Sequence, residues 1–172
     1  MIEYTVKVHV TGTKEWYLNG DLHREDGPAI EGTYGTKHWY LNGKRHREDG
    51  PAVERPNGYK SWYIDGRCHR EDGPAIEYAN GYKSWYINGE LHREDGPAIE
   101  YAYGDKAWFL NGKRHREDGP AVEYGDGDKS WYLNGVQYTE EEYYSKLNPA
   151  KELTMEELVK ELGYNVKIIK AE

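Results

Sequence analysis

Residues 83–100 read KSWYINGELHREDGPAIE, and close copies of this stretch recur along most of the chain. Tryptophan returns every 23 residues, and histidine returns with the same period, each time opening the string HREDGPA. The tryptophans are Trp16, Trp39, Trp62, Trp85, Trp108 and Trp131, and the histidines are His23, His46, His69, His92 and His115. A fixed period of this length indicates a repeat protein, in which each unit buries its apolar surface against its neighbours.

Turn and strand signals divide each repeat into short antiparallel strands. A run such as Trp-Tyr-Ile favours β structure, and the Asn-Gly pair after it, as in Asn88-Gly89, is a strong hairpin signal because both residues tolerate φ > 0. Glu-Asp-Gly-Pro marks a second turn, and Ala-Ile-Glu a second strand. The sequence therefore predicts a mainly β fold, an elongated single-sheet stack of antiparallel β-hairpin repeats.

Equivalent residues of neighbouring repeats should lie side by side. We expect the six tryptophans to stack on one another and the five histidines to form a second structural ladder. The arginine after each histidine should pair with a carboxylate of an adjacent repeat. Aliphatic residues are scarce, but 6 Trp and 17 Tyr can supply the buried area that they do not.

The repeats are predicted to span residues 14–137. Residues 1–13 are predicted to form an N-terminal capping strand, and residues 138–172 a small α/β cap with two short helices and a strand over 165–170. Thr139 with Glu142, and Thr154 with Glu157, each form the pattern of a capping box. These helices either only cap the stack or also dock a partner, and the residues leave both roles open.

Charge and cysteine content narrow the class of protein. The net charge is -8, which argues against nucleic acid or an anionic membrane as a direct partner. Residues 1–10 show no signal-peptide pattern, and no apolar run approaches the length of a membrane span. The single cysteine, Cys68, occupies a variable repeat position and fits a reducing compartment. We expect a cytoplasmic protein.

The 23-residue period, the aromatic strand and the Asn-Gly-x-x-His core resemble MORN repeats, whose units carry Trp or Tyr, then Asn-Gly, then His-Gly. The resemblance covers about residues 14–137. Here each His precedes Arg-Glu-Asp-Gly-Pro-Ala rather than Gly-x-Gly, so the chain is similar to a variant MORN group of bacterial and phage proteins, some labelled antitoxin-like. The resemblance implies an interaction role without an active site, in the cytoplasm of a bacterial or phage-infected cell.

The histidines and their neighbouring carboxylates are the residue types that could bind zinc or transfer protons. Catalysis, however, needs one asymmetric group of unlike residues, whereas five copies of one string form a ladder. We therefore expect no catalytic residue, no cofactor and no metal site.

A binding site is expected where the repeats differ from one another. Two tracks vary, namely the pair after Asn-Gly and the turn between successive repeats. The turns are rich in tyrosine, which gives a large contact area at low entropic cost. The predicted partner-binding residues are Tyr34, Tyr59, Tyr78, Tyr82, Tyr101, Tyr103, Tyr124, Arg45, Arg67 and Arg114.

These patterns favour a non-enzymatic repeat scaffold that binds a protein partner, such as an inhibitor or antitoxin-like protein acting on a host or cognate factor. The alternative is a small-molecule or metal-sequestering protein that uses the repeated His and Arg positions. The sequence does not name the partner, and it leaves homo-oligomerisation open.

Overall fold

The computed structural model describes residues 3–149 and 153–163. Its largest element is a 14-stranded antiparallel sheet, accompanied by four separate two-stranded hairpins and two short helices. The predicted mainly β class is thus confirmed. In chain order the strands are β1 (Thr5–Val8), β2 (Lys14–Leu18), β3 (Asp21–Leu22), β4 (Ile30–Glu31), β5 (Lys37–His38), β6 (Tyr40–Leu41), β7 (Lys44–Arg45), β8 (Val53–Glu54), β9 (Lys60–Ser61), β10 (Tyr63–Ile64), β11 (Arg67–Cys68), β12 (Ile76–Glu77), β13 (Lys83–Ser84), β14 (Tyr86–Ile87), β15 (Glu90–Leu91), β16 (Ile99–Glu100), β17 (Lys106–Ala107), β18 (Phe109–Leu110), β19 (Lys113–Arg114), β20 (Val122–Glu123), β21 (Lys129–Leu133) and β22 (Val136–Tyr138).

The tryptophan is the point where the chain passes from the main sheet to a hairpin. In the fourth repeat, the N–H of Trp85 donates to the carbonyl of Ala98 at 2.9 Å, which extends the main sheet by one bond. The carbonyl of Trp85 accepts from His92 N–H at 3.1 Å, which belongs to the hairpin of β14 and β15. Four central repeats therefore carry their hairpin outside the main sheet, where the sequence predicted one sheet.

The Asn-Gly turns have the backbone that their residues predict. Asn88 has φ 54° and Gly89 φ 90°, and Asp65, which replaces Asn in the third repeat, has φ 49°. Positive φ at both central positions is the hairpin turn whose twist matches the flanking strands. The glycine N–H also reaches the preceding hairpin, as when Gly89 donates to the Cys68 carbonyl at 2.8 Å. Each turn thus closes one hairpin and links it to its neighbour.

The main sheet has two rows of cross-strand partners. One row alternates Glu and Lys, with Lys83 opposite both Glu77 and Glu100. The other carries small and β-branched residues, with Ser84 opposite both Ile76 and Ile99. Such opposite-charge pairs and their alternation with apolar rows fix the register of the sheet.

The most deeply buried positions belong to small side chains. The alanine of each Gly-Pro-Ala segment is 0% exposed. These alanines are Ala29, Ala52, Ala75, Ala98 and Ala121. The tryptophans are only partly buried. The fully buried positions of the repeats are therefore held by small side chains, and the large aromatic rings remain partly exposed.

Both ends of the stack are capped by a tyrosine hydroxyl. Strand β1 pairs with β2, and the Tyr4 hydroxyl accepts from Glu25 N–H at 3.3 Å. At the other end, helix α1 (Glu140–Leu147) places Tyr143 where the last repeat lacks its HREDGPA segment. The fully buried Tyr143 hydroxyl donates to the Arg116 carbonyl at 2.7 Å and accepts from Gly119 N–H at 3.2 Å.

Both predicted capping boxes are confirmed. Thr139 is the N-cap residue of α1, and Thr154 is the N-cap residue of α2 (Met155–Leu162). The predicted strand over 165–170 lies outside the described residues. Neither helix in the described part of the chain is long and apolar enough to cross a membrane.

Candidate binding surfaces

Each of the first five repeats holds one arginine through the same set of contacts with a tryptophan ring, two carboxylates and a carbonyl. We call this arrangement the arginine clip. In the third repeat, the guanidinium carbon of Arg70 lies 4.0 Å from the centre of the Trp62 ring. The Arg70 Nε donates to Asp72 at 2.8 Å, and its Nη1 donates to the Pro74 carbonyl at 3.2 Å and to Glu77 at 3.1 Å. Charge-assisted bonds and cation–π contact act together on one side chain. The equivalent arginines, each on the tryptophan of its own repeat, are Arg24, Arg47, Arg93 and Arg116.

The prediction that these arginines pair with an adjacent repeat is therefore wrong. Both carboxylates come from the same repeat, because Asp72 lies two residues after Arg70 in one tight loop and Glu77 follows on the next strand. The Arg70 guanidinium lowers the pKa of Asp72, first through its hydrogen bond and then through its charge. The arginine charge is thereby balanced within each repeat.

The tryptophans do not stack on one another as predicted. Among the described residues, none of the ring–ring contacts joins two tryptophans. Equivalent residues of successive repeats are two strands apart, about 9.6 Å, which exceeds the range of direct aromatic contact. The arginine covers the ring instead.

Each repeat histidine bonds to the turn of the next repeat. His69 Nδ1 accepts from Asn88 N–H at 3.1 Å, and His92 Nδ1 accepts from Asn111 N–H at 3.2 Å. The histidines thus form a ladder through the turns and not through ring-on-ring contact. Within residues 3–149 and 153–163, no three His, Cys, Asp or Glu side chains gather in a group that could hold a metal ion.

Four equivalent grooves separate successive HREDG loops, and the sequence did not predict them. Their volumes range from about 620 to 790 Å³. One of them is lined by Arg47 of one repeat and by Trp62, His69 and Arg70 of the next. The 23-residue period implies their repetition, but the depth between loops depends on how the arginines fold back.

A different surface forms at the turns between repeats. Five tyrosines from the turns at 55–59, 78–82 and 101–105 make an unbroken series of ring contacts, which we call the tyrosine ladder. Its members are Tyr59, Tyr78, Tyr82, Tyr101 and Tyr103. Successive ring centres are 4.8, 5.4, 5.2 and 5.2 Å apart, and the first three pairs meet edge to face. Sequence reasoning selected all five residues, and the structure brings them together.

Turn geometry explains this arrangement. The N–H of Tyr78 donates to the Tyr82 carbonyl at 3.0 Å, and Gly81, at φ 94°, donates to the Tyr78 carbonyl at 3.0 Å. Because successive repeats use the same turn, Tyr78 and Tyr101 take equivalent positions, as do Tyr59 and Tyr82. The rings then follow adjacent strands at the strand spacing of about 4.8 Å.

The tyrosine ladder lines an open groove of about 360 Å³. Its walls include Tyr78, Tyr82, Tyr101 and Tyr103, and Ile76 also lines it. Tyr78 is 46% exposed and Tyr103 is 69% exposed, so the rings present apolar area to solvent. Burial raises the pKa of the Tyr82 hydroxyl.

The two ends of the tyrosine ladder carry opposite charge. At one end, the guanidinium carbon of Arg55 lies 4.8 Å from the centre of the Tyr59 ring. At the other end Asp105, which accepts from Gly125 N–H at 2.8 Å, replaces the tyrosine of the earlier turns. The exposed Asp126 belongs to the following turn. The tyrosine ladder is therefore basic at one end and acidic at the other.

The remaining predicted residues lie apart from the tyrosine ladder. Tyr34, in the first turn, is 90% exposed, and Tyr124 is 42% exposed in the last turn. Neither takes part in the ladder's ring contacts. Arg45 lies 5.8 and 5.5 Å from the ring centres of Tyr40 and Tyr63, on a hairpin face. Arg114 takes the equivalent position in the fifth repeat, and Arg67 is exposed.

No protein-family model matches this chain, and no curated protein matches its sequence. The relation to MORN repeats therefore stays a prediction from the repeated residues. Of the surfaces described, the tyrosine ladder is the one with exposed apolar rings, whereas the repeat arginines are engaged in bonds within the stack.

Proposed function

We propose that this chain is a non-enzymatic repeat scaffold that binds a protein partner through the tyrosine ladder. The observation that carries the proposal is the packing of five tyrosine rings from three successive turns into one row that still exposes apolar surface. Tyrosine is enriched in binding surfaces because it offers large area with few rotatable bonds.

The ladder also has the rigidity that favours binding. The turn that carries Tyr78 and Tyr82 is closed by two backbone hydrogen bonds of 3.0 Å, and each ring is held by the next. A surface ordered in advance loses little conformational entropy when a partner binds. This supports recognition by the turns themselves rather than by a segment that must first become ordered.

The alternative function, sequestration of a metal or small molecule at the repeated His and Arg positions, has weaker support. The repeat arginine bonds to two carboxylates and a carbonyl, as Arg70 does, and the histidine Nδ1 accepts from the next turn. These donors and acceptors stabilise the stack. The resemblance to variant MORN proteins also favours an interaction role, and an inhibitor or antitoxin-like role would follow if the partner were an enzyme that loses activity in the complex.

Selection of displayed random-sequence peptides on the immobilised full chain tests the proposal. We expect selected peptides to bind the unmodified chain and to lose about tenfold or more in affinity for the double variant Tyr78→Ala/Tyr101→Ala. Tyr34→Ala is the matched control, because it removes an exposed tyrosine outside the ladder. Peptides that bind the double variant as tightly as the unmodified chain would place recognition elsewhere and overturn the proposal.

A further inference from the structure

We infer that the occupant of the tyrosine ladder is a proline-rich segment in the polyproline II conformation, with a basic residue at the end that lies beside Asp105. This inference rests on the proposed function and names the class of partner that the ladder would take. It is carried by the spacing of the rings, by the shape of the groove between them and by the charge at the two ends.

The repeat spacing matches the pitch of a polyproline II helix. Equivalent tyrosines, such as Tyr78 and Tyr101, directly follow β12 and β16, and β13 alone separates these two strands. Two strand spacings amount to about 9.6 Å. A polyproline II helix rises about 3.1 Å per residue with three residues per turn, so one turn spans about 9.3 Å. A segment lying across the strands would present the same face to each repeat.

The shape of the groove favours proline over a flat ring ligand. Tyr59 meets Tyr78 at an interplanar angle of 69°, Tyr78 meets Tyr82 at 81°, and Tyr82 meets Tyr101 at 66°. Rings at such angles form walls with notches between them rather than one continuous platform. Aromatic-lined grooves of this kind receive the side chains of proline-rich segments, whereas sugar rings would need broad exposed ring faces.

Charge gives the segment a direction. Asp105 lies at one end of the tyrosine ladder, and the neighbouring turn adds Asp126 and Asp128, while Arg55 lies at the other end. A lysine or arginine next to the prolines would be attracted to the carboxylate end and repelled by Arg55. Electrostatic complementarity of this type selects among partners more than it raises affinity.

One exposed hydroxyl, that of Tyr103, lines the groove. The carbonyls of a polyproline II segment have no internal partner. Partial desolvation, the charge of Asp105 and a hydrogen bond with its carboxylate raise the pKa of Tyr103. Tyr103 is 69% exposed, which leaves it accessible to a bound segment.

Fluorescence anisotropy with labelled synthetic peptides tests the inference on the full chain. The tyrosine ladder spans about five residues of polyproline II, so a probe of about ten residues, mostly proline with two arginines at one end, covers it. We expect Tyr78→Ala and Tyr101→Ala each to raise the Kd about tenfold, Tyr78→Phe to raise it less than about threefold, and Tyr34→Ala less than about twofold. Thermal melting of each variant shows that the fold is retained.

Two matched peptides and a sugar distinguish a basic, proline-rich occupant from other occupants of the tyrosine ladder. Replacing the prolines by glycine should weaken binding about tenfold or more, since glycine chains lack the preformed helix. Replacing the arginines by glutamates should weaken binding severalfold at low salt, with the difference shrinking at high salt. Equal binding of the proline and glycine peptides, failure of the proline peptide to bind, or ladder-dependent binding of a cello-oligosaccharide would overturn the inference. If selected peptides without proline still depend on Tyr78 and Tyr101, this inference fails while the proposed function stands.

Discussion

The guanidinium carbon of Arg70 lies 4.0 Å from the centre of the Trp62 ring, and the same guanidinium bonds Asp72, Glu77 and the Pro74 carbonyl. One side chain thus covers the aromatic ring, closes the loop and ties it to the following strand. Because five repeats share this clip, its contribution to stability recurs along the stack.

Replacing Arg70 by alanine should lower the free energy of unfolding by about 2 kcal/mol, since it removes a cation–π contact and leaves partners without their donor. Arg70→Lys should recover less than half of the loss, because an ammonium cannot reproduce the planar fork of bonds. Urea unfolding measures both. Arg67→Ala, an exposed arginine of the same repeat, should change stability by less than about 0.5 kcal/mol. Equal effects of Arg70→Ala and Arg67→Ala would contradict the role of the clip.

The clip also predicts how stability depends on pH. The hydrogen bond and charge of Arg70 hold the pKa of Asp72 below its usual range. A carboxyl whose folded pKa is depressed contributes stability above its unfolded pKa, about 3.9, and loses it as the pH falls through the folded value. Asp72→Asn should therefore be less stable than the unmodified chain at pH 7, with the difference closing in stronger acid. Thermal melts across this range measure it, and a difference that stays constant with pH would rule out the ion pair as its cause.

The repeat architecture could be predicted from the sequence because its signals are local. The pair Asn88-Gly89 strongly favours a hairpin turn. The capping boxes at Thr139 and Thr154 supply hydrogen-bond acceptors to the backbone N–H groups at the start of each helix. The error over tryptophan stacking has a geometric origin. A repeat with two main-sheet strands separates Trp62 from Trp85 by about 9.6 Å, and counting residues does not reveal how many strands lie between them.

The candidate site was predicted in composition but not in geometry. Tyrosine enrichment in the turns selected Tyr59 and Tyr82 from the sequence, yet their contact with Tyr78 depends on the register of β9, β12 and β13. The role of Tyr143 could not be foreseen. Several tyrosines surround it in the sequence, and only the docking of α1 shows which one is buried.

Alanine substitutions at two glycines distinguish the cost of backbone strain from the cost of a steric clash. Gly58 and Gly127 both have positive φ, at 84° and 99°. A Cβ added to Gly58 would lie 2.7 Å from the Ala79 Cβ, whereas one added to Gly127 would meet nothing within 4 Å. Gly127→Ala should cost about 1 kcal/mol from strain alone, and Gly58→Ala about 1 kcal/mol more. Chemical denaturation measures both variants. Adding Ala79→Gly to Gly58→Ala should remove much of the excess, and its persistence would exclude the clash as its source.

The single cysteine should be unreactive in the folded protein. Burial raises the pKa of the Cys68 thiol to about 12. Since the thiolate is the nucleophile, modification by a disulfide reagent at pH 8 should be far slower in the native chain than in concentrated urea. The absorbance released by the reagent follows the rate. Similar rates in the two states would show that the third hairpin opens freely.

The HREDG loop of the fifth repeat is held by a residue from outside the repeat pattern. The Tyr143 hydroxyl donates to the Arg116 carbonyl at 2.7 Å and accepts from Gly119 N–H at 3.2 Å, in a position that is 0% exposed. Tyr143→Phe keeps the ring but leaves both backbone groups without this partner in a buried site, so stability should fall by about 1–3 kcal/mol. Tyr144→Phe removes a hydroxyl from the adjacent, exposed ring and should change stability by less than about 0.5 kcal/mol. Hydrogen exchange adds a local readout, because the Gly119 amide should lose protection in Tyr143→Phe before the amides of the central repeats do. If that amide exchanges no faster than in the unmodified chain, α1 does not cap the stack through Tyr143.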